Sequence, residues 1–142
     1  MTGEQLATRW RGPVTKKDFN TDMRFMLKSK IHLAKVTSTD FLYEGSVSIG
    51  PDLLRAADIV PYEQVHLLNM ETGRRLVTYA LPDIQPGVVQ VNGAAAQAFE
   101  KGDRVIILSY TIADEIFAAN AQPRLVIVDE ENRPRRPGPL PD

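Results

Sequence analysis

Tyr43-Glu44-Gly45-Ser46, running on through Val47-Ser48-Ile49 into Gly50-Pro51-Asp52, is the stretch around which the chain is read. Val47-Ser48-Ile49 alternates apolar with polar, as a half-buried strand does. Gly50-Pro51-Asp52 then supplies a cap, a proline at the first helical position and an acid in the first turn. The serine therefore sits at the entrance to a strand, directly after a glycine carbonyl. Its hydroxyl can attack that carbonyl if the backbone brings the two together. Glycine tolerates the unusual φ/ψ such a bend requires, and backbone strain collects at functional sites. Taken alone, the same four residues also read as an ordinary turn carrying a serine.

Working outward, Leu27, Ile31 and Leu33 alternate with Lys28, Lys30 and His32, the pattern of a strand with one buried face. Lys30 and His32, two apart, leave the same face. Thr37-Ser38-Thr39-Asp40 reads as a turn and Phe41-Leu42-Tyr43 as the start of an extended piece. Beyond the centre, Leu53, Leu54, Ala56 and Ala57 mark a short helix. Gln64 to Met70 and Arg74 to Ala80 read as a hairpin turned at Glu71-Thr72-Gly73. Val88 to Val91 is a strand entering a short Ala-rich helix through Phe99. Arg104 to Tyr110 is a further strand, Asp114 to Asn120 a helical turn, and Leu125 to Val128 the last strand. The pattern predicts a mainly β fold with short helices. Its folded part spans 23–128, between a polar extension, 1–22, expected to be mobile, and a Pro/Arg-rich tail, 129–142, whose end from Asn132 is expected to be extended and mobile.

Composition removes several classes of function. The chain has 142 residues and a formal net charge of −1, so it has no basic field for nucleic acid or anionic lipid. It has no cysteine, hence no disulfide, thiolate metal site or cysteine nucleophile. His32 and His66 are its only histidines, too few for a histidine-rich metal centre. No apolar run approaches the roughly 20 residues of a membrane span. The first residues lack the basic-then-apolar layout of a signal peptide, which predicts a cytoplasmic protein.

Three other groups carry chemistry. Asn92-Gly93-Ala94-Ala95-Ala96 stands where a strand becomes a helix. Asn is a favoured cap, and the small residues after it let a ligand approach the backbone; the stretch also reads as a plain capped helix. On the Arg74–Ala80 strand, Arg75, Val77 and Tyr79 share one face and Thr78 the other. Arg75 could hold a carboxylate and Tyr79 could give a proton, or the two could cover the edge of the core. Unless the strand is bulged or Thr78 acts through its backbone, Thr78 serves a different part of any shared pocket. Lys30 and His32 form either a cationic patch or a solvated face, and His66 reads as structural.

In order and spacing, Lys30-x-His32, Tyr43-Glu44-Gly45-Ser46, Arg75-x-x-Thr78-Tyr79 and Asn92-Gly93-Ala94-Ala95 resemble the pyruvoyl-dependent aspartate 1-decarboxylases over residues 23 to 128. Those enzymes supply β-alanine for pantothenate. The resemblance implies a double-psi β-barrel, a homotetramer with active sites between subunits, and a proenzyme that cuts itself between Gly45 and Ser46. The products would be a β chain, 1–45, and an α chain, 46–142, headed by a pyruvoyl group made from Ser46. Neither a metal nor pyridoxal phosphate is implied. The substrate would be L-aspartate, bound by Lys30, Arg75, Thr78, Gly93, Ala94 and Ala95, with Tyr79 as proton donor and His32, Tyr43 and Asn92 in support. Thr78 would also steady the oxyanion during self-cleavage. A helper protein for maturation is compatible with this reading.

Two departures stand out: Val47 occupies a position usually held by cysteine, and the extension before Met23 is longer than usual. The thiol has no step to perform, so the first should matter little. Two other functions share the same residues: the same chemistry on a related amino acid, or an uncut, non-catalytic barrel acting as a binding module.

Overall fold

A computed structural model describes residues 22–135; the expectations for 1–21 and 136–142 fall outside the described residues. The fold is mainly β with short helices. Its strands are β1 (Met23–Lys35), β2 (Ser38–Asp40), β3 (Ser46–Ile49), β4 (Gln64–Asn69), β5 (Arg75–Pro82), β6 (Val89–Asn92), β7 (Arg104–Asp114) and β8 (Arg124–Ile127). Helix α1 is Pro51–Ala57, α2 is Glu115–Asn120, and Gly93–Ala98 is a 3-10 helix. The strands form one sheet in the order β2-β6-β3-β5-β4-β7-β1-β8.

The chain divides into two compact units. Residues 27–111 and 122–135 make the larger. Its core holds Ile31, Val47, Ile49, Leu53, Val65, Leu67, Val89, Val91, Val105 and Ile107, all fully buried. In β3 and β6, Val47 and Val91 pair across the strands and face this core, which turns Ser46, Ser48, Gln90 and Asn92 to the opposite side. Helix α1 starts at Pro51 and ends at Asp58 in the left-handed region. The smaller unit, residues 22–26 and 112–121, contains α2, capped by Asp114 accepting from the Phe117 N–H. Arg24 and Glu115 pair at 3.6 Å there. Phe25, Ile116 and Phe117 are exposed in that unit.

Four local expectations change. Ser38–Asp40 is a strand parallel to β6 rather than a turn: the Thr37 hydroxyl and amide both bond to the Val89 carbonyl and draw the chain into the sheet. The turn falls instead at Phe41 and Leu42, expected to be extended; there Asp40 accepts from the Leu42 N–H. The alternation in β1 breaks at Leu33, whose φ is 58°. A bulky residue in the left-handed region is a local outlier, and it puts Ala34 rather than Leu33 into the core. Finally, the chain is pinned at Asn132, where an extended and mobile end was expected to begin. Asn132, itself left-handed and buried, bonds through its side chain to both backbone groups of Lys35 and to the Gly87 carbonyl.

Candidate active site

Asn92 is the hub. It pairs with Asp40 on β2 and, on its other side, with Ser46 on β3. Residues 41–45 must therefore cross from one flank of β6 to the other, passing over the start of the 3-10 helix. Gly93 makes that passage possible. Its φ is 65°, and a Cβ there would stand 2.6 Å from the Gly45 Cα and 2.9 Å from the Tyr43 carbonyl. Any side chain would push the loop away.

Ser46 is fully buried. Its hydroxyl donates to the Glu44 carbonyl at 2.8 Å and accepts from Asn92 Nδ2 at 3.0 Å. The second hydrogen of that amide goes to the Ser48 hydroxyl, also at 3.0 Å. Asn92 thus makes no side-chain cap on the 3-10 helix, contrary to expectation: its Oδ1, the atom that would accept from the helix N–H groups, accepts from Gln90 Nε2 instead. The strain expected at Gly45 is absent as well. Gly45 is not among the glycines of positive φ, and a Cβ there would meet nothing within 4 Å. Gly45 is exposed, while the conformation that demands glycine is at Gly93.

Tyr79 reaches the same place from β5. Val47 pairs with Ala80 in parallel, so Ser46 stands level with Tyr79. The Tyr79 hydroxyl donates to Glu44 Oε1 in a short hydrogen bond. That bond, then partial burial and the negative charge of Glu44, push the phenol up to about 12. Tyr62 stacks on the ring, with centroids 6.2 Å apart and planes 28° from parallel. Tyr62 has a φ of 70°, and its N–H donates to the Ala80 carbonyl.

Beta-5 is regular here: it pairs with β4 from Leu68 opposite Arg75 to Gln64 opposite Tyr79. Thr78 therefore faces away from Tyr79, as parity requires, and no bulge brings them together. Arg75 lies on the Tyr79 face, exposed, without an ion pair among the described residues. Ala94 is exposed and Ala95 half-buried on the 3-10 helix beside the loop. Tyr43 is exposed, its backbone against Gly93.

Lys30 and His32 lie elsewhere. In the sheet order, β5, β4 and β7 separate their strand from β3. They share a face of β1, opposite Leu125 and Ile127 of β8. Burial, then the Lys30 charge, holds His32 below its ordinary 6.5, and its buried Nδ1 has no hydrogen-bond partner among the described residues. His66 packs against Tyr110, with centroids 4.8 Å apart.

Sequence reasoning passed over Gln90, Ser38, Ser48 and Tyr62. The polar residues at alternate positions of Ser46-Val47-Ser48 and Gln90-Val91-Asn92 were the available signal for Gln90 and Ser48, whereas Ser38 was hidden in a stretch of turn composition. For Tyr62 nothing local gave one. Among the described residues there is no cluster of His, Cys, Asp and Glu that could hold a metal ion, and no helix long and apolar enough to cross a membrane.

The sequence profile of the family described as aspartate decarboxylase matches residues 23–135. An aspartate 1-decarboxylase of Acaryochloris marina (strain MBIC 11017) is 50% identical over 111 residues, covering 78% of this chain and 85% of the relative. That of Thermoanaerobacter pseudethanolicus (strain ATCC 33223 / 39E) is 46% identical over 112 residues, covering 78% and 96%. The match spans the serine loop, the Arg75–Tyr79 strand and the Asn92 hub alike, and this chain belongs to the aspartate decarboxylase family.

Proposed function

We propose that this chain decarboxylates L-aspartate to β-alanine, for pantothenate synthesis, after cutting itself between Gly45 and Ser46. The observation that carries the reading is the buried Ser46 hydroxyl, held by Asn92 Nδ2 beside the exposed Gly45 and level with Tyr79. Family membership and the names of the two relatives support the substrate and the reaction.

In the self-cleavage, Ser46 Oγ forms a bond to the Gly45 carbonyl carbon. The Gly45–Ser46 C–N bond then breaks, and the serine proton passes to the freed nitrogen. Elimination from this ester releases the Gly45 carboxylate and leaves an unsaturated residue 46. Its tautomer takes up water and loses ammonia, leaving a ketone at the head of the α chain. The Ser46 proton first has to leave the Glu44 carbonyl, where it is now donated. Thr78, on the other face of β5, is assigned the oxyanion formed on Gly45.

A pyruvoyl group would fit the place: it is small and uncharged, and Asn92 Nδ2, which loses Ser46 Oγ as its acceptor, would be free to donate to it. It supplies the carbonyl that accepts the electrons released with CO2. The chain's own residues do the rest. Arg75, free of any ion pair among the described residues, binds a substrate carboxylate. Tyr79 Oη gives its proton to the carbon that lost CO2, once Glu44 releases it. Tyr62 covers one side of the Tyr79 ring against water. The backbone at Gly93, Ala94 and Ala95, with Tyr43, lines the substrate beside the loop.

Lys30 and His32 belong to the same chemistry through a neighbouring copy in a homotetramer, completing a site between subunits. Their separation from Ser46 along the sheet supports that assignment, as do the exposed Phe25, Ile116 and Phe117. We take closure of the sheet as a double-psi barrel and a cytoplasmic location as parts of the same reading. Purified protein incubated with aspartate should release CO2 and β-alanine. Release from a homologous diacid, but not from aspartate, would transfer the mechanism to another substrate, and release from neither would remove it.

A further inference from the structure

The self-cleavage proposed above depends on which end of the Asn92 amide faces Ser46. An amide turned over by 180° presents an acceptor where it had presented two donors. With Nδ2 toward the serine, Oγ receives a hydrogen bond that grows stronger as the oxygen gives up its proton. With Oδ1 there, the serine would have to donate to Asn92, and its developing negative charge would meet a carbonyl oxygen.

The choice is made two residues away. Ser48 pairs with Gln90 and Ser46 with Asn92 across β3 and β6, while Ser38 pairs with Gln90 from β2. These side chains form a polar ladder on the face opposite Val47 and Val91. Along it, Ser38 Oγ donates to Gln90 Oε1 at 2.8 Å, and Gln90 Nε2 donates to Asn92 Oδ1 at 2.8 Å. Asn92 Nδ2 is thereby left to Ser46 and Ser48. No other side chain among the described residues bonds to Asn92 Oδ1.

We propose that Gln90, itself oriented by Ser38, is a positioning residue for self-cleavage, setting the Asn92 amide with its donors toward Ser46. It touches neither reacting atom. Its effect passes through Asn92.

The test is a comparison of two substitutions by cleavage rate, followed by intact mass on freshly made chain. Gln90→Glu keeps the shape of the side chain but offers only acceptors, so Asn92 must turn Nδ2 toward it and Oδ1 toward Ser46. Cutting should slow about ten- to a hundred-fold, the range for losing a hydrogen bond to a charged group. Gln90→Leu leaves the amide free to take either orientation and should slow cutting less. A merely structural role predicts the reverse order, because the leucine removes both hydrogen bonds; cutting would then track the melting temperature measured in a Ser46→Ala background. Cleavage of Gln90→Glu at the wild-type rate, or slowing of both variants in step with lost stability, overturns the inference. Should Gln90→Glu fail to fold, Ser38→Ala decides: a few-fold slowing supports the proposal and an unchanged rate overturns it. A wild-type chain that never cuts overturns self-cleavage itself, and this inference with it.

Discussion

Two regions of this chain carry the residues of one proposed reaction, and they are built in opposite ways. Around Ser46 almost every polar atom has a partner. The hydroxyl is held by Asn92 and Glu44, the Asn92 amide by Gln90, and the Tyr79 phenol by Glu44. On β1, Lys30 and His32 share a face with no acid paired to either, and the buried His32 Nδ1 has no partner among the described residues. The first region is preorganised within one chain, as a nucleophile must be. The second carries one ammonium, Lys30, beside an imidazole held below its ordinary 6.5; we propose that it takes an anion. In our reading that anion is a carboxylate of a substrate bound mainly to another copy.

The largest expected effect falls on the first region. Ser46→Ala should leave a single uncut chain with no detectable decarboxylation, and its fold intact by melting temperature. Cutting or turnover by that variant would remove Ser46 from its role. Next is Tyr79→Phe, which should still cut yet turn over about 10² to 10⁴-fold more slowly, the range for a lost general acid. Normal turnover would place the proton donor elsewhere.

The contrast itself is tested by mixing. Lys30→Ala chains should cut but bind aspartate poorly, and Ser46→Ala chains should not cut at all. Co-expressed, the two should regain part of the activity, because some sites then combine a cut chain with a neighbour that retains Lys30. No recovery in verified mixed assemblies would return Lys30 to its own chain's site. Arg75→Ala, on the Ser46 side, should raise KM about ten- to a hundred-fold through loss of a charge-assisted contact, and mixing with Ser46→Ala chains should not repair it. An unchanged KM would cancel its role as carboxylate holder.

The smallest effects are titrations. In an uncut Ser46→Ala background, Glu44→Gln should bring the Tyr79 phenol down from about 12 toward its ordinary 10, read by ultraviolet absorbance against the parent. Because folding raises this pKa, the bond's contribution to stability is present below pH 10 and is lost as pH rises toward 12. No difference between the two titrations would show that Glu44 does not hold the phenol. His32 is the mirror case. Its folded value lies below 6.5, so its contribution is present above pH 6.5 and fades as pH falls through that lower value. Its imidazole resonances should have a midpoint below 6.5, and a midpoint above it would mean an acid stands nearby.

The two regions also differ in how far the sequence revealed them. Around Ser46, alternation read Val47 and Ile49 as the buried side of a strand, and spacing set Arg75 and Tyr79 on one face, because a regular strand converts position directly into direction. It failed where tertiary partners compete for a polar group. Asn92 reads as a helix cap, but the oxygen a cap would use accepts from Gln90, and two buried serines take its nitrogen. Gly45 attracts the conformational argument that belongs to Gly93, since only the folded loop shows which glycine lies beneath which. Thr37 to Asp40 has turn composition, yet Ser38–Asp40 becomes a strand because Thr37 bonds to Val89, 52 residues away. On β1 the alternation is sound as far as His32, and then Leu33 takes a positive φ that no local pattern announces.

Self-cleavage underlies every role assigned above, and intact mass spectrometry of the purified, unmodified protein measures it most directly. The account predicts two polypeptides, 1–45 and 46–142, the second lighter by one ammonia than a simple hydrolytic fragment. A single polypeptide of full length, unchanged after prolonged warming, would contradict it.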